Sequence, residues 1–195
     1  MKRKKIILTV LLAAAGAAAV IIIVLAVQMG GPSLPSFIVW KEKTFSADAD
    51  ADGKEDAFAL KGRRLRITAG TVPDKAVYET EQDIFVQDAF AADLDHDGVP
   101  EVILLTWRRG SFGNSKPFWI EEDDDSYSQH IFIYHYENGG LTQVWLSSDI
   151  GTGVREMSVD ENARIHLISE AGNESLWAWE DWGLRACEMQ GPAAD

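Results

Sequence analysis

Two stretches of this chain carry the same pattern 45 residues apart, and that pattern limits what the chain can become. The run from Phe45 to Leu60 recurs from Phe90 to Leu105 without a gap. Each copy sets an aromatic three residues before an aspartate, continues as D-x-D-x-D-G-x-x-[D/E], and then turns apolar. The acids are Asp48, Asp50, Asp52 and Asp56 in the first copy and Asp93, Asp95, Asp97 and Glu101 in the second. Carboxylates at positions 1, 3 and 5 of a tight loop can turn inward together, and the glycine at position 6 (Gly53, Gly98) allows the loop to bend. A hard cation such as Ca²⁺ takes six to eight oxygens at about 2.3–2.6 Å. The carbonyls at position 7, from Lys54 and Val99, would face that ion, and Asp56 or Glu101 would close the cage. Without a cation, four carboxylates so close together would repel one another.

An EF-hand has the same opening but needs a bidentate Glu at position 12 and a helix on each side. Position 12 is Ala59 in one copy and Leu104 in the other. The residues after the second loop, Val102 to Trp107, read as a buried strand. The EF-hand reading therefore fails. A calcium loop feeding straight into a strand resembles the FG-GAP/VCBS family, whose loops decorate the blades of integrin-type β-propellers. The likeness is strongest over 45–60 and 90–107. It implies an all-β domain of antiparallel blade-like repeats and Ca²⁺ at both loops. That family usually has Asp at position 9, so Glu101 is a departure that would reshape the second site.

Upstream, Ile6–Val27 holds 22 residues with no charge, enough helix to reach roughly 33 Å and span a bilayer core of about 30 Å. This exceeds the apolar region of a cleavable signal, and no clean A-x-A site follows, so a retained signal anchor is favoured. Lys2, Arg3, Lys4 and Lys5 precede it, which puts the N-terminus in the cytoplasm and the rest outside. The expected organisation is a basic tail at 1–5, a transmembrane anchor at 6–28, a linker at 29–37 and an extracytoplasmic β-domain at 38–195. The alanine- and glycine-rich stretch from Ala13 to Ala19 could also pack against another helix. Four of the 18 basic residues lie in that tail, leaving 14 against 31 acids and a net charge of −17 for the remainder. Such a body is a poor partner for nucleic acid or anionic lipid. The lone Cys187 excludes an internal disulfide.

The second half holds a weaker third copy, Met157–Ile168, with an acidic turn at Asp160 but no glycine and too few aspartates, read as a turn without a cation. Asn138-Gly139 between apolar runs predicts a hairpin of 129–136 with 141–147. Along that first strand His130 and His135 fall on opposite faces and cannot chelate one metal. A final strand pair is expected over 175–180 and 184–189, with Trp177 and Trp179 on one face and Cys187 a buried small side chain. The segment 108–125 reads as a long loop carrying Phe112, Phe118 and Trp119, followed by five contiguous acids.

No nucleophile elbow, H-E-x-x-H, C-x-x-C or phosphate loop is present, and the best-organised carboxylates are accounted for by cation binding. The chain is therefore read as a non-enzymatic interaction or adhesion module with a protein or glycan partner outside the membrane. Other readings are an accessory subunit of a membrane complex, a surface glycan binder, or a carboxylate-dependent hydrolase. About 155 residues at 45 per unit give three and a half blades, where closed propellers use four to eight. A minimal propeller, a partial array and a compact sandwich all remain open.

Overall fold

The structure, a computed structural model, describes residues 33–70, 78–110, 118–122 and 124–188. Leu34–Asp195 forms one compact unit. The predicted cytoplasmic tail and membrane span lie outside the described residues. Among the described residues no helix is long and apolar enough to cross a membrane.

The described chain is all-β. Four strands, β1 (Lys43–Ala47), β2 (Asp56–Lys61), β3 (Arg64–Thr68) and β4 (Tyr78–Glu79), make the first sheet. β5 (Ile84–Ala92), β6 (Glu101–Arg109), β7 (Tyr127–Glu137) and β8 (Gly140–Leu146) make the second. β9 (Val154–Val159), β10 (Ile165–Ser169), β11 (Glu174–Glu180) and β12 (Gly183–Cys187) make the third. Each is an antiparallel meander in chain order. The 45-residue repeat thus marks the first two strands of the first two sheets, and the weak third copy marks β9 and β10. The Asn138-Gly139 hairpin forms with φ of 53° and 76° at its two turn residues, the left-handed pair that a tight hairpin needs.

Period-two alternation decides how the sheets stack. Phe58, Leu60, Leu65 and Ile67 of the first sheet meet Val86, Ala89, Val102, Leu104, Phe132 and Tyr136 of the second. The opposite face of the second sheet, with Ile103, Leu105, Ile131 and Ile133, meets Val154, Met157, Ile165 and Leu167 of the third. The middle sheet is covered on both faces, which is why β6 has an apolar run in place of alternation and is buried from Glu101 through Trp107.

A β-bulge in β5 supplies the link between layers. The register of β5 on β6 shifts between Val86 and Asp88, leaving Gln87 as the extra residue. Its carbonyl accepts the Lys41 N–H at 3.0 Å. Its side-chain Oε1 accepts Trp107 Nε1 at 2.7 Å and Gln129 Nε2 at 2.8 Å. Its Nε2 donates to the carbonyls of Val154 (3.2 Å) and Arg155 (3.0 Å) in β9. Gln129 closes the network by taking the Val154 N–H at 2.6 Å. Gln87 and Gln129 are both buried, so these bonds replace the water they gave up.

The expected linker is only partly a tether. Phe37 packs edge-on against Trp107 with ring centroids 5.9 Å apart. Gly153 (φ +55°) makes room for it, since a Cβ there would lie 2.8 Å from the ring. Because Lys41, Gln87 and Val154 meet near the starts of β1, β5 and β9, the chain enters at that end. The β1–β2, β5–β6 and β9–β10 turns leave at the other.

Two predictions follow from these buried polar groups. Replacing Gln87 by Leu strands the Trp107 indole N–H and takes the side-chain donor from the Arg155 carbonyl, while the Val154 carbonyl keeps Gln129 Nε2 at 2.7 Å. Urea unfolding should show a loss of about 2–4 kcal/mol. Exposed Gln143→Leu, the control, should change little. His130 is fully buried, with Nδ1 3.1 Å from the Ser147 carbonyl and Nε2 2.7 Å from the Ser128 hydroxyl. Burial, aided by the positive charge of Arg108, pushes its pKa below the usual histidine value, against hydrogen bonds to Ser147 and Ser148. The neutral ring is the folded form, so its stability is full above about pH 6.5 and is lost as pH falls through the lowered value. Stability measured from pH 7 to 5 should fall with a slope that His130→Gln reduces.

Candidate metal centres

The two acidic loops fold alike down to single hydrogen bonds. In the first, Gly53 N–H donates to Asp48 Oδ2 at 3.0 Å; in the second, Gly98 N–H donates to Asp93 Oδ2 at 3.0 Å. Asp50 Oδ1 receives Asp52 N–H and Asp95 Oδ1 receives Asp97 N–H, at 3.2 and 3.1 Å. Lys54 N–H and Val99 N–H bond Asp52 Oδ1 and Asp97 Oδ1 at 2.9 and 2.8 Å. Both loops place position 4 in the left-handed region (Ala51 φ 54°, His96 φ 62°), and position 6 as well (Gly53 φ 84°, Gly98 φ 94°). The glycines are required at position 6, where a side chain would be strained even in open space.

The result gathers oxygens. One carboxylate oxygen from each of Asp48, Asp50 and Asp52 lies within 4.8 Å of the other two, and the same holds for Asp93, Asp95 and Glu101. Oxygens on opposite sides of a Ca²⁺ ion stand about 5 Å apart, so both clusters could hold a metal ion. Asp56 and Asp97 stand outside those triplets. Asp97 faces its own turn through Val99. Asp56 is buried and anchors the loop, accepting Ala49 N–H at 3.2 Å and Gly70 N–H at 3.0 Å. Glu101 does the equivalent work in the second loop by accepting Leu94 N–H at 2.7 Å.

The electrostatics of both loops favour neutralisation. Burial raises the Asp56 carboxyl above its ordinary pKa; the Gly70 and Ala49 N–H groups oppose this, and the charges of Asp50 and Asp52 reinforce it. Burial likewise raises Glu101, opposed by the Leu94 N–H and by His135, with Asp95 adding to the rise. Asp93 Oδ1 is buried with no hydrogen-bond partner among the described residues.

Residues that the repeat pattern did not single out complete both sites. Gly70 at the end of β3 holds Asp56. His135 on β7 places Nε2 3.2 Å from Glu101 Oε1. The neighbouring Tyr136 buries its hydroxyl with no hydrogen-bond partner among the described residues, and burial, with the charges of Asp56 and Asp50, pushes its pKa up. Neither β7 residue carries a local signal, because each meets its loop across a sheet.

The third turn carries its own cation. Asp160 Oδ2 lies 2.8 Å from Arg164 Nη2, and its Oδ1 accepts the Arg164 and Asn162 N–H groups. Burial works to raise this carboxyl, but the hydrogen bonds from Arg164, Asn162 and His166 outweigh it and hold it at about 2.

Elsewhere, Phe118, Trp119 and Trp182 are exposed at 95%, 68% and 76%. Phe118 and Trp119 belong to the β6–β7 connection, at the chain-entry end, and Trp182 to the β11–β12 turn at the loop end, so they form no single platform. Phe112 lies outside the described residues. Trp177 and Trp179 share the inner face of the third sheet. Cys187 is a free thiol and only partly covered, because it sits on the edge strand β12, not in the core as expected.

The chain matches no known family profile, no curated protein and no solved structure.

A Cβ on Gly70 would stand 2.5 Å from the Glu55 carbonyl oxygen and 3.0 Å from Lys54 Cβ. Gly70→Ala should therefore destabilise the domain by roughly 1–3 kcal/mol in urea. Amide exchange should quicken at Ala49, whose N–H depends on Asp56, and stay unchanged at Leu94 in the second loop.

Proposed function

We propose that this chain is a membrane-anchored, extracytoplasmic, calcium-binding domain of FG-GAP/VCBS type that serves as a protein-interaction or adhesion module. Its three sheets act as propeller-like blades. The observation that carries this reading is the pair of matching loops, each drawing carboxylates together while Asp93 keeps a buried oxygen without a partner. Asp48, Asp50, Asp52, Asp56 and the Lys54 carbonyl hold one ion. Asp93, Asp95, Asp97, Glu101 and the Val99 carbonyl hold the other. Asp56 and Glu101 retain lone pairs for a cation while gripping their backbone N–H groups. An all-oxygen set on a bending loop suits Ca²⁺ better than Mg²⁺, which demands near-ideal octahedral geometry and keeps its waters. The ions stiffen the loop end of the β-domain, where an ordered surface would meet a partner.

Extracellular modules bind Ca²⁺ at about 10⁻⁴–10⁻³ M. At the tighter limit, 1 mM Ca²⁺ adds about 1.4 kcal/mol per site, or roughly 5–10 °C in Tm for two sites. Titration of the chelator-treated protein should show this rise together with binding heat, and Asp50→Ala combined with Asp95→Ala should remove both. An unchanged Tm at millimolar Ca²⁺, or the same response in the double variant, overturns the reading.

A further inference from the structure

The interface between the second and third sheets is less completely filled than that between the first and second. A cavity of about 460 Å³ lies there, walled by Ile131, Trp145, Leu167, Trp177 and Leu184. Trp145, Trp177 and Leu184 are only half-buried, whereas their counterparts across the middle sheet, Phe58, Leu60, Leu65 and Ile67, are at most 1% exposed. Gly183 keeps the wall open, since a Cβ there would meet the Trp145 indole nitrogen at 2.8 Å. At about 30 Å³ per small group, the space takes on the order of fifteen non-hydrogen atoms. Ligand pockets usually run from about 300 to 1,000 Å³.

The lining of this cavity has one sign of charge. Asp149 and Glu174 line it, and none of its lining residues is Lys, Arg or His. Asp149 uses Oδ1 to accept the Gly151 N–H at 3.1 Å and the Gln129 N–H at 3.4 Å, and Oδ2 has no hydrogen-bond partner among the described residues. Glu174 is exposed and makes no ion pair among them. Three lining hydroxyls are oriented by accepting hydrogen bonds. Ser147 takes the Ile131 N–H, Ser169 the Asn173 N–H and Ser175 the Trp177 indole. Each still has a proton to give. Indole faces beside carboxylates attract positive charge, Trp being the strongest aromatic partner for a cation.

We propose that this cavity binds a small organic cation, an ammonium group joined to an apolar body. The apolar body lies between Trp145 and Trp177, and the ammonium group lies at Asp149; Glu174, which lines the cavity but leaves its strand on the outer face, adds attraction from the rim. The site is separate from the acidic loops and does not depend on the calcium reading.

The probe is benzyltrimethylammonium, which has a permanent charge and eleven non-hydrogen atoms. The full chain, labelled with 5-fluorotryptophan and held in phosphatidylcholine nanodiscs, is titrated with it and followed by ¹⁹F NMR. Trp145→Phe and Trp177→Phe assign the two resonances, and empty nanodiscs serve as the blank. The cation should shift both resonances saturably in the millimolar range or below, while phenylacetate, its anionic counterpart, should not. Asp149→Asn with Glu174→Gln should weaken binding by roughly three- to tenfold. Both changes keep the side-chain shape, and Asp149→Asn keeps the acceptor for Gly151, so the fold stands. The proposal is overturned by an absence of shift at 50 mM, by equal binding of phenylacetate, by undiminished affinity in the double variant, or by shifts confined to exposed Trp119 and Trp182.

Discussion

The contact on which the three-sheet arrangement depends is a single glutamine in a β-bulge. Gln87 leaves the ladder between Val86 and Asp88, so its backbone and side chain are free to serve other layers. Its carbonyl receives the chain entering the first sheet at Lys41, and its amide grips Val154 and Arg155 at the start of the third. Trp107 and Gln129 fix the amide orientation by donating to its oxygen. A buried network of this kind stabilises only when every member is satisfied. Because the bonds join the starts of β1, β5 and β9, they also determine that all three first turns emerge at one end. Both acidic loops lie at that end for that reason.

What the sequence makes legible is what repeats or alternates locally. The loop spacing, the strand after each loop, the Asn138-Gly139 turn and the opposed faces of His130 and His135 all follow from periods of two residues or from turn chemistry. Gln87 does not, because a bulge has no local signature and its partners lie up to 68 residues away. The same limit hides Gly70 behind Asp56, and His135 and Tyr136 behind the loops they touch. Pro32, Ser33 and Pro35 make the entering segment read as a tether. Only the third dimension supplies Trp107 and the Gly153 gap that receive Phe37.

The three first turns offer an internal comparison of how a charge is neutralised. The third has one aspartate and folds around Arg164, whose guanidinium and backbone N–H both serve Asp160. The first has five acids and the second four, with no arginine within either loop. Each has one internal base: Lys54, whose ammonium shows no ion pair to these acids among the described residues, and His96, which is exposed. Their backbone N–H groups are spent as in an ion-holding loop, yet this leaves the charge on Asp48, Asp50, Asp93 and Asp95 largely unmatched. The evident route to balance is an external cation, while the third turn balances itself with an arginine of its own.

The outer faces bear on how many blades the body can take. On the first sheet the outward positions are Thr44, Ser46, Ala57, Ala59, Lys61, Arg64, Arg66, Thr68 and Glu79, with Arg66 paired to Glu79 at 2.8 Å. Covering that face with another sheet would strip water from several charges, at a cost of several kcal/mol for each one left unpaired. It reads as a terminal, solvated face of the kind that caps a repeat array. The outer side of the third sheet carries Ile168, Leu176, Ala178 and Cys187, but with them Glu156, Glu174, His166, Glu180 and Arg185, the last ion-paired to Glu180 at 3.1 Å. Covering that side would likewise strip water from several charges, so both outer faces resist a further sheet. Closure of the stack into a ring would bury both of these charged faces, so they favour an open stack of sheets.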